Sequence, residues 1–458
     1  MREGLQKVVP TDDTIVAIST PLGRSAIGIV RLSGPSCESI AGTFFQSKHP
    51  LAHRVSGIGR WTDAAGAVMD EVVATLFKAP NSYTGEDVLE VSAHGNPFVL
   101  ERIVETIRKA GARLATPGEF TLRAVINGKL DLIQAEAVRS FIDAQTDEQA
   151  RTALLQMEGT LSRQILPAKL KLVDIIAQLE AGIDFADDDV PPANNAAIAL
   201  HLGVVLEALG KLQRSYSYGK ILTDGLHVAI VGKPNVGKSS IFNRLVGRNR
   251  AIVASTPGTT RDVVSESASL DGVPLRFLDT AGIRETNELV EQIGVQRTVE
   301  ALSEADLVLF VVDGSTGVED SDRDVFLRIE KRPHITLANK TDLSAVVEVE
   351  LPSPSTVVRV SAKTGKGFED LENEIRAFLG TKPERTSGST VTNARHFDHV
   401  SSALRSVEKA RDSILECTPH EMVLLDVYDA LSHLNELTGE VVTEDILGKI
   451  FSTFCVGK

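Results

Sequence analysis

Gly232-Lys-Pro-Asn235-Val236-Gly237-Lys238-Ser239, continued by Ser240-Ile-Phe-Asn-Arg-Leu, is the stretch on which the fold turns. Leu226–Val231 before it is apolar and β-prone, and the residues after it are helix-like, so the motif occupies a strand-to-helix turn. A phosphate-binding loop needs that setting. Its glycines let backbone N–H groups converge on phosphate oxygens, Lys238 adds a positive charge, and the Ser239 hydroxyl can ligate Mg²⁺. The start of the helix contributes a partial positive charge of its own.

Three further motifs follow in order. Asp279-Thr280-Ala281-Gly282 comes after the apolar run Val273-Pro-Leu-Arg-Phe-Leu, which puts Asp279 at a strand end, facing Mg²⁺ through water. Asp271-Gly272 ahead of that run reads as a hairpin turn. Asn339-Lys340-Thr341-Asp342 follows the strand-like His334–Ala338. A carboxylate at Asp342 can accept from the N1–H and N2–H₂ edge of guanine, a donor pair that adenine lacks, so GTP is selected over ATP. Ser361-Ala362-Lys363, after Val357–Val360, completes the base pocket. One such motif alone is an ordinary turn beside a strand. Four in this order define a GTP site.

Hydrolysis poses a separate question. Ras-like proteins orient the attacking water with a glutamine after the Asp-Thr-Ala-Gly motif, and here Ile283 stands in that place. Its side chain neither donates nor accepts, so another group must position the water. Thr256-Pro257-Gly258-Thr259-Thr260-Arg-Asp reads as switch I, a glycine-containing loop with a hydroxyl for Mg²⁺. A K⁺ ion held between Asn235 and this loop would neutralise charge on the β- and γ-phosphates, in place of an arginine finger.

At 458 residues and 42% hydrophobic content, the chain is long enough for about three domains. A net charge of −14 does not suit a protein that coats nucleic acid by bulk electrostatics, so RNA contact requires a local basic patch. Cys37, Cys417 and Cys455 show no zinc spacing and suit a reducing compartment. There is no run of eighteen apolar residues, and the first ten residues lack the apolar core of a signal peptide. The expectation is a cytoplasmic protein with no membrane partner.

Residues 1 to about 125 alternate β-like runs (Thr14–Ile18, Ile27–Leu32, Val88–Ser92) with a helix near Pro97–Ala110, an α+β texture. From 126 to 224 the period becomes helical. Leu154, Met157, Leu161, Ile165, Leu172, Ile176 and Leu179 recur at helical spacing, and a second helix covers Ala196–Ser215. The acidic run from Asp184 is a turn by composition. An α/β nucleotide domain occupies 225–380, and helical texture returns over 381–458 (Asn393–Glu416, Glu421–Leu437, Thr443–Phe451). The economical arrangement is one discontinuous helical domain into which the GTPase is inserted.

With these motifs placed, the chain closely resembles the MnmE (TrmE) family of tRNA-uridine modification GTPases, within the TRAFAC class, from Asp13 to Lys458. The likeness rests on Ile27-Gly28-Ile-Val-Arg31-Leu-Ser-Gly34, Ser82-Tyr-Thr-Gly-Glu-Asp-Val-Leu-Glu90, His94-Gly95, Pro117-Gly-Glu-Phe-Thr121, Asn127-Gly-Lys129-Leu-Asp-Leu-Ile-Gln134 and the terminal Phe454-Cys455-Val456-Gly457-Lys458. The resemblance implies an α+β domain at 1–125 that binds tetrahydrofolate and forms a homodimer, a split helical domain (126–224 and 381–458) and an inserted G domain (225–380). It also implies a FAD-containing partner, MnmG. Together they would add an aminomethyl or carboxymethylaminomethyl group to C5 of the wobble uridine U34 of certain tRNAs. The one-carbon donor would be 5-formyltetrahydrofolate or a relative, and GTP hydrolysis would be stimulated by K⁺.

Carried over by position, the resemblance places Arg31, Glu90, Lys129 and Lys458 on the folate, where Arg and Lys suit carboxylates and Glu90 suits the donor edge of a pterin. Asn235, Ala254, Thr256 and Thr259 fall on the K⁺ positions, and Ser239 and Thr260 on those of Mg²⁺. The GTP contacts span Asn235–Ser240, Ala254-Ser255-Thr256-Pro257-Gly258-Thr259-Thr260, Asp279–Gly282, Asn339–Asp342 and Ser361–Lys363. Glu291 matches the glutamate that positions water, and Arg284 lies in switch II. Cys455, near Lys458, is implied in the modification chemistry; by itself it is a small hydrophobe or an activated thiol. Two other readings compete: a regulatory ribosome-assembly GTPase of the Era or Der type, and an N-terminal region that serves only as a dimerisation scaffold.

Overall fold

The computed structural model describes residues 12–184, 194–248, 268–278, 304–343, 355–379, 390–441 and 443–457, with residues 302, 351 and 352. Two compact units emerge, each assembled from separate stretches of chain. One takes residues 1–139, 156–206 and 402–458, and the other takes 140–155 and 207–401.

The first unit is built on a seven-stranded sheet in the order β3-β4-β5-β6-β2-β1-β7. Its strands are β1 Ile15–Ile18, β2 Ser25–Ser33, β3 Phe45–Ser47, β4 Ser56–Thr62, β5 Val68–Phe77, β6 Val88–Gly95 and β7 Arg113–Leu114. All pairs are antiparallel except β1 with β7. In β2, Val30 and Leu32 alternate with Arg31, so period-two patterning sends the aliphatics inward and the guanidinium to the other face. On the inner face, helices α1 (Cys37–Phe44) and α2 (Pro97–Lys109) pack on Val30, Leu32, Val72, Leu76, Leu89 and Val91. Cys37 belongs to this core. Burial pushes its thiol up to about 12, leaving it inert at neutral pH.

Helix α3 (Glu119–Ile126) is pinned by charge. The fully buried Arg123 guanidinium meets Asp13 at 2.6 Å, Glu86 at 3.0 Å and Glu119 at 3.1 Å. Arg113 reaches Asp13 and Glu119, each at 2.6 Å. Burial works against the Glu119 carboxylate, yet Arg113, the Thr116 N–H and Arg123 together hold its pKa down to about 2.

The helical run of 126–184 divides more often than its periodicity suggested. It comprises α4 (Leu132–Asp143), α5 (Asp147–Met157) and α6 (Thr160–Asp184), with the α5–α6 break at Glu158-Gly159, where the Gly159 N–H closes a turn on Gln156 O. Buried Leu161, Ile165, Ala168, Leu172, Ile175 and Leu179 recur at alternating steps of four and three along α6. Val423, Val427, Ala430, Leu434 and Leu437 do the same on α12 (His420–Thr438), which packs along α6 as a coiled-coil-like seam. Pro167 inside α6 costs about 3 kcal/mol. Each buried leucine or isoleucine contributes roughly 1.5–3 kcal/mol, so the seam outweighs it.

Helix α7 (Asn195–Asp224) runs beyond the expected Ser215 because Tyr218, Ile221 and Leu222 near its end pack into the core of the second unit. It is the one helix among the described residues long and apolar enough to cross a membrane. Its buried stripe (Ile198, Leu202, Val205, Leu209, Leu212) and its Glu207–Lys211 ion pair have the alternation of a bundle helix.

The second unit carries a six-stranded sheet, β13-β12-β11-β8-β10-β9, of β8 Leu226–Val231, β9 Ala268–Leu270, β10 Val273–Leu278, β11 Leu307–Asp313, β12 His334–Asn339 and β13 Val357–Arg359. Only β9 is antiparallel, joined to β10 through Asp271-Gly272 as the sequence suggested. All seven residues of β11 are buried, as expected of a central parallel strand with both faces covered. Helices α8 (Lys238–Arg248) and α10 (Phe368–Leu379) cover one face, and α9 (Asp320–Ile329) covers the other. The Thr146 hydroxyl, just before α5, donates to Gly272 O at 2.6 Å, and Gln149 donates to Leu222 O at 2.9 Å. The remaining helices are α11 (Ala394–Leu415) and α13 (Glu444–Phe451).

Candidate functional site

Open parallel sheets bind ligands beyond the carboxyl ends of their strands. Here β8 delivers Gly232–Gly237, β11 delivers Asp313, β12 delivers Asn339–Asp342, and Ser361–Lys363 follow β13. Lys238 and Ser239 open α8, the placement expected of the phosphate-binding lysine and the Mg²⁺ hydroxyl. The Lys238 ammonium donates to Gly232 O (2.8 Å) and Lys233 O (2.9 Å), and burial lowers its pKa. Asn235 is exposed on this turn.

Asn339 ties the loops together. Its side chain donates to Val236 O at 2.8 Å and accepts from the Ala362 N–H at 3.0 Å, so one buried amide spans the phosphate and base loops. A side chain at position 237 would not fit: its Cβ would stand 2.3 Å from Asn339 Nδ2. The Asp342 carboxylate accepts from the Ser361 hydroxyl at 2.7 Å, and that bond holds its pKa below the usual carboxylate range. Lys340 pairs with Asp313 at 2.6 Å. Burial disfavours the Asp313 anion, but Lys340 and Ser315 hold it below the ordinary range. Thr341 N–H closes onto Val360 O at 3.3 Å. Two participants escaped the sequence reading. Asp313 stands at a strand end before Gly314, a visible signal, whereas Arg244 lay inside a stretch read only as helix. Its guanidinium donates to Ala362 O (3.0 Å) and Lys363 O (2.6 Å).

The first unit holds a second cluster. Arg31 and Glu90 are directly opposed on β2 and β6, joined by Nε–Oε1 (2.9 Å) and Nη2–Oε1 (2.8 Å) contacts. Arg31 Nη1 also donates to Gly457 O at 3.3 Å, an acceptor shared with the Ser19 hydroxyl at 3.1 Å. The Gly118 N–H bonds to Cys455 O at 3.4 Å, while Phe451 and Phe454 bury themselves beside Val125 and Ile126. The tail is thus seated against the sheet, and the Cys455 thiol is exposed. Tyr83, unflagged although it lies in the quoted Ser82–Glu90 block, faces Arg31 at 5.9 Å and bonds to Thr121 at 2.9 Å. The same loop brings Gly85 against the Lys129 stem, and Lys129 is itself exposed. Ala254, Ser255, Thr256, Pro257, Gly258, Thr259, Thr260, Asp279, Thr280, Ala281, Gly282, Arg284, Glu291 and Lys458 lie outside the described residues.

A phosphate turn joined through one asparagine to a base loop, at the carboxyl ends of a parallel sheet, defines a phosphate-loop nucleotide-binding protein of the GTPase class. Comparison with known proteins narrows the class. The model of the TrmE N-terminus matches residues 14–129, and that of the MnmE helical domain matches 132–455. A protein of Koribacter versatilis named tRNA modification GTPase MnmE is 46% identical over 98% of this chain and 99% of its own length. One of the same name from Aquifex aeolicus is 44% identical over 97% of this chain and 100% of its own. A crystal structure of a tyrosine-to-alanine variant of Aquifex aeolicus Era bound to GDP.AlF4- is 27% identical over 39% of this chain and 66% of that one, with a TM-score of 0.27. The chain belongs to the MnmE (TrmE) family of tRNA modification GTPases.

Proposed function

We propose that this chain hydrolyses GTP and uses the cycle to drive modification of C5 of wobble uridine U34 in tRNA. It would do so in the cytoplasm, as a homodimer, with the FAD protein MnmG. Full-length likeness to tRNA modification GTPases is the observation that carries this reading, and it favours an enzyme over a ribosome-assembly switch. An arriving γ-phosphate offers Lys238 an anionic partner in place of two neutral carbonyls, a stronger, charge-assisted bond. Ser239 and Thr260 would hold Mg²⁺, and Glu291, with Arg284 nearby, would position the water in place of a glutamine. The Asp342 carboxylate would take the guanine N1–H and N2–H₂. The G domain is assigned to 225–380 and the helical domain to 126–224 with 381–458. The Thr146–Gly272 bond gives strand movement in the G domain a mechanical connection to the start of α5.

The one-carbon donor, 5-formyltetrahydrofolate or a relative, is assigned to the Arg31–Glu90 cluster of the 1–125 domain, with Lys129 and Lys458. A self-paired arginine and glutamate offer a pterin both an acceptor for its amino edge and a donor for its carbonyl. Cys455 is placed by the same tail that gives Arg31 a second acceptor, the Gly457 carbonyl, which supports a role in the modification chemistry. In a strain lacking the gene, wild-type protein is expected to restore modified U34, read by nucleoside analysis of total tRNA. Arg31→Ala is expected to restore less than a tenth as much while hydrolysing GTP normally. Full restoration by Arg31→Ala would leave the N-terminal domain only a dimerisation scaffold.

K⁺ is assigned to Asn235 with Ala254, Thr256 and Thr259. An oxygen-lined cation beside the β- and γ-phosphates would act as an arginine finger does, worth 10³–10⁵ at most in GTPases that use one. GTP turnover is therefore expected to be at least about tenfold faster in KCl than in NaCl. Asn235→Ala should abolish the difference. Equal rates in the two salts for the wild type would remove the cation from the mechanism.

A further inference from the structure

We infer that Arg244 is a positioning residue for guanine selectivity, fixing the base-reading loop to the helix that carries the phosphate-binding groups. The inference rests on the assignment of this site to GTP and adds a residue to it. Arg244 sits on α8 roughly 9 Å along the axis from Lys238, at 1.5 Å per residue. Its Nε and Nη2 donate to consecutive carbonyls, Ala362 O at 3.0 Å and Lys363 O at 2.6 Å. Position 365 allows the guanidinium this close: a Cβ there would stand 3.0 Å from Nη1.

The turn so gripped is itself closed by the Gly365 N–H on Ser361 O (2.8 Å) and the Ser361 N–H on Lys366 O (3.0 Å). Its first residue aims the base-reading carboxylate. The Ser361 hydroxyl has one proton to give, and gives it to Asp342 at 2.7 Å while accepting from the Thr364 N–H at 3.1 Å. The next residue, Ala362, is held on both sides, its carbonyl by Arg244 and its N–H by Asn339. Displacing the turn therefore re-aims Asp342. Arg244 acts through this turn, setting where the base end lies relative to the phosphate end. The guanidinium holds its two donors at a fixed spacing, whereas a lysine ammonium is one centre on a flexible stem, so lysine is a partial substitute.

The test compares wild type, Arg244→Met and Arg244→Lys for release of a fluorescent GDP analogue and for KM and kcat with GTP and ITP. Inosine lacks the 2-amino group that Asp342 takes, so a misaimed carboxylate costs GTP more than ITP. Arg244→Met is expected to release GDP about tenfold faster, to raise KM for GTP more than for ITP, and to leave kcat at saturating GTP within about twofold. Arg244→Lys should fall between. Unchanged release and unchanged GTP/ITP preference would overturn the inference. So would equal losses for both nucleotides with a lowered melting temperature, which is what a merely structural arginine predicts. A wild type that fails to prefer GTP over ATP would remove the GTP assignment itself, a failure visible before any variant is measured.

Discussion

Asp342→Asn is expected to lower the affinity for GTP by between about a hundredfold and ten-thousandfold, and to raise that for xanthosine triphosphate. Each hydrogen bond to a charged group is worth roughly 1.5–3 kcal/mol, and guanine offers this carboxylate two donors. An amide in the same place can accept one of them and turns its own N–H₂ toward the other. Xanthine carries a carbonyl where guanine carries the 2-amino group, so the new donor meets an acceptor. The Ser361 hydroxyl survives the change as a partner for the amide oxygen, which keeps the loop in place and confines the effect to the base. Competition of labelled GDP with GTP, XTP and ATP reads the outcome. Retention of the wild-type order of preference would mean that another group reads the base.

Arg123→Met is expected to be the most destabilising single change in the N-terminal unit, by about 3–5 kcal/mol, the range seen when one partner of a buried ion pair is removed. A domain of this kind has about 5–15 kcal/mol in all. Arg113 still serves Asp13 and Glu119 in the variant, so the uncompensated charge falls chiefly on Glu86, left with the Ser33 hydroxyl at 2.7 Å. The pH dependence separates this account from a simple loss of packing. In the wild type the depressed pKa of Glu119, about 2, contributes stability that is complete above roughly pH 4.5 and is lost as pH falls toward 2. In the variant the clustered carboxylates repel most when ionised. The gap in denaturation midpoint between the two proteins should therefore widen from pH 4 to pH 7. A gap independent of pH would assign the loss to packing alone.

The sequence made the nucleotide half of the molecule readable because its chemistry sits at strand ends. Apolar runs such as Leu226–Val231 and His334–Asn339 are short, buried and followed at once by the residues that matter, so pattern and motif locate each other. The β9–β10 turn was legible for the same reason. Arg244 was not, because an arginine on an amphipathic helix carries no mark of the turn it will meet 118 residues later. In the N-terminal unit, period-two alternation gave β2 and β6, whereas β4, with Gly57 and Gly59 interrupting it, left no clean pattern. Nor could spacing bring Arg31 to Gly457, a contact between residues 426 apart. Helix boundaries erred where tertiary packing extends a helix, as at Tyr218–Leu222, or where a glycine turn divides one, as at Gly159.

The seam between α6 and α12 also has a consequence for how the protein is made. The helix Thr160–Asp184 emerges from the ribosome with its stripe of leucine and isoleucine facing water, and its partner lies in the last stretch of the first unit, 402–458. The whole of 207–401 must be synthesised in between, at about 5–20 residues per second. For some tens of seconds the nascent chain therefore exposes a sticky helix whose partner lies in residues 402–458. The same late arrival delivers Gly457 to Arg31, so the N-terminal cluster stays incomplete until residues 402–458 have been made.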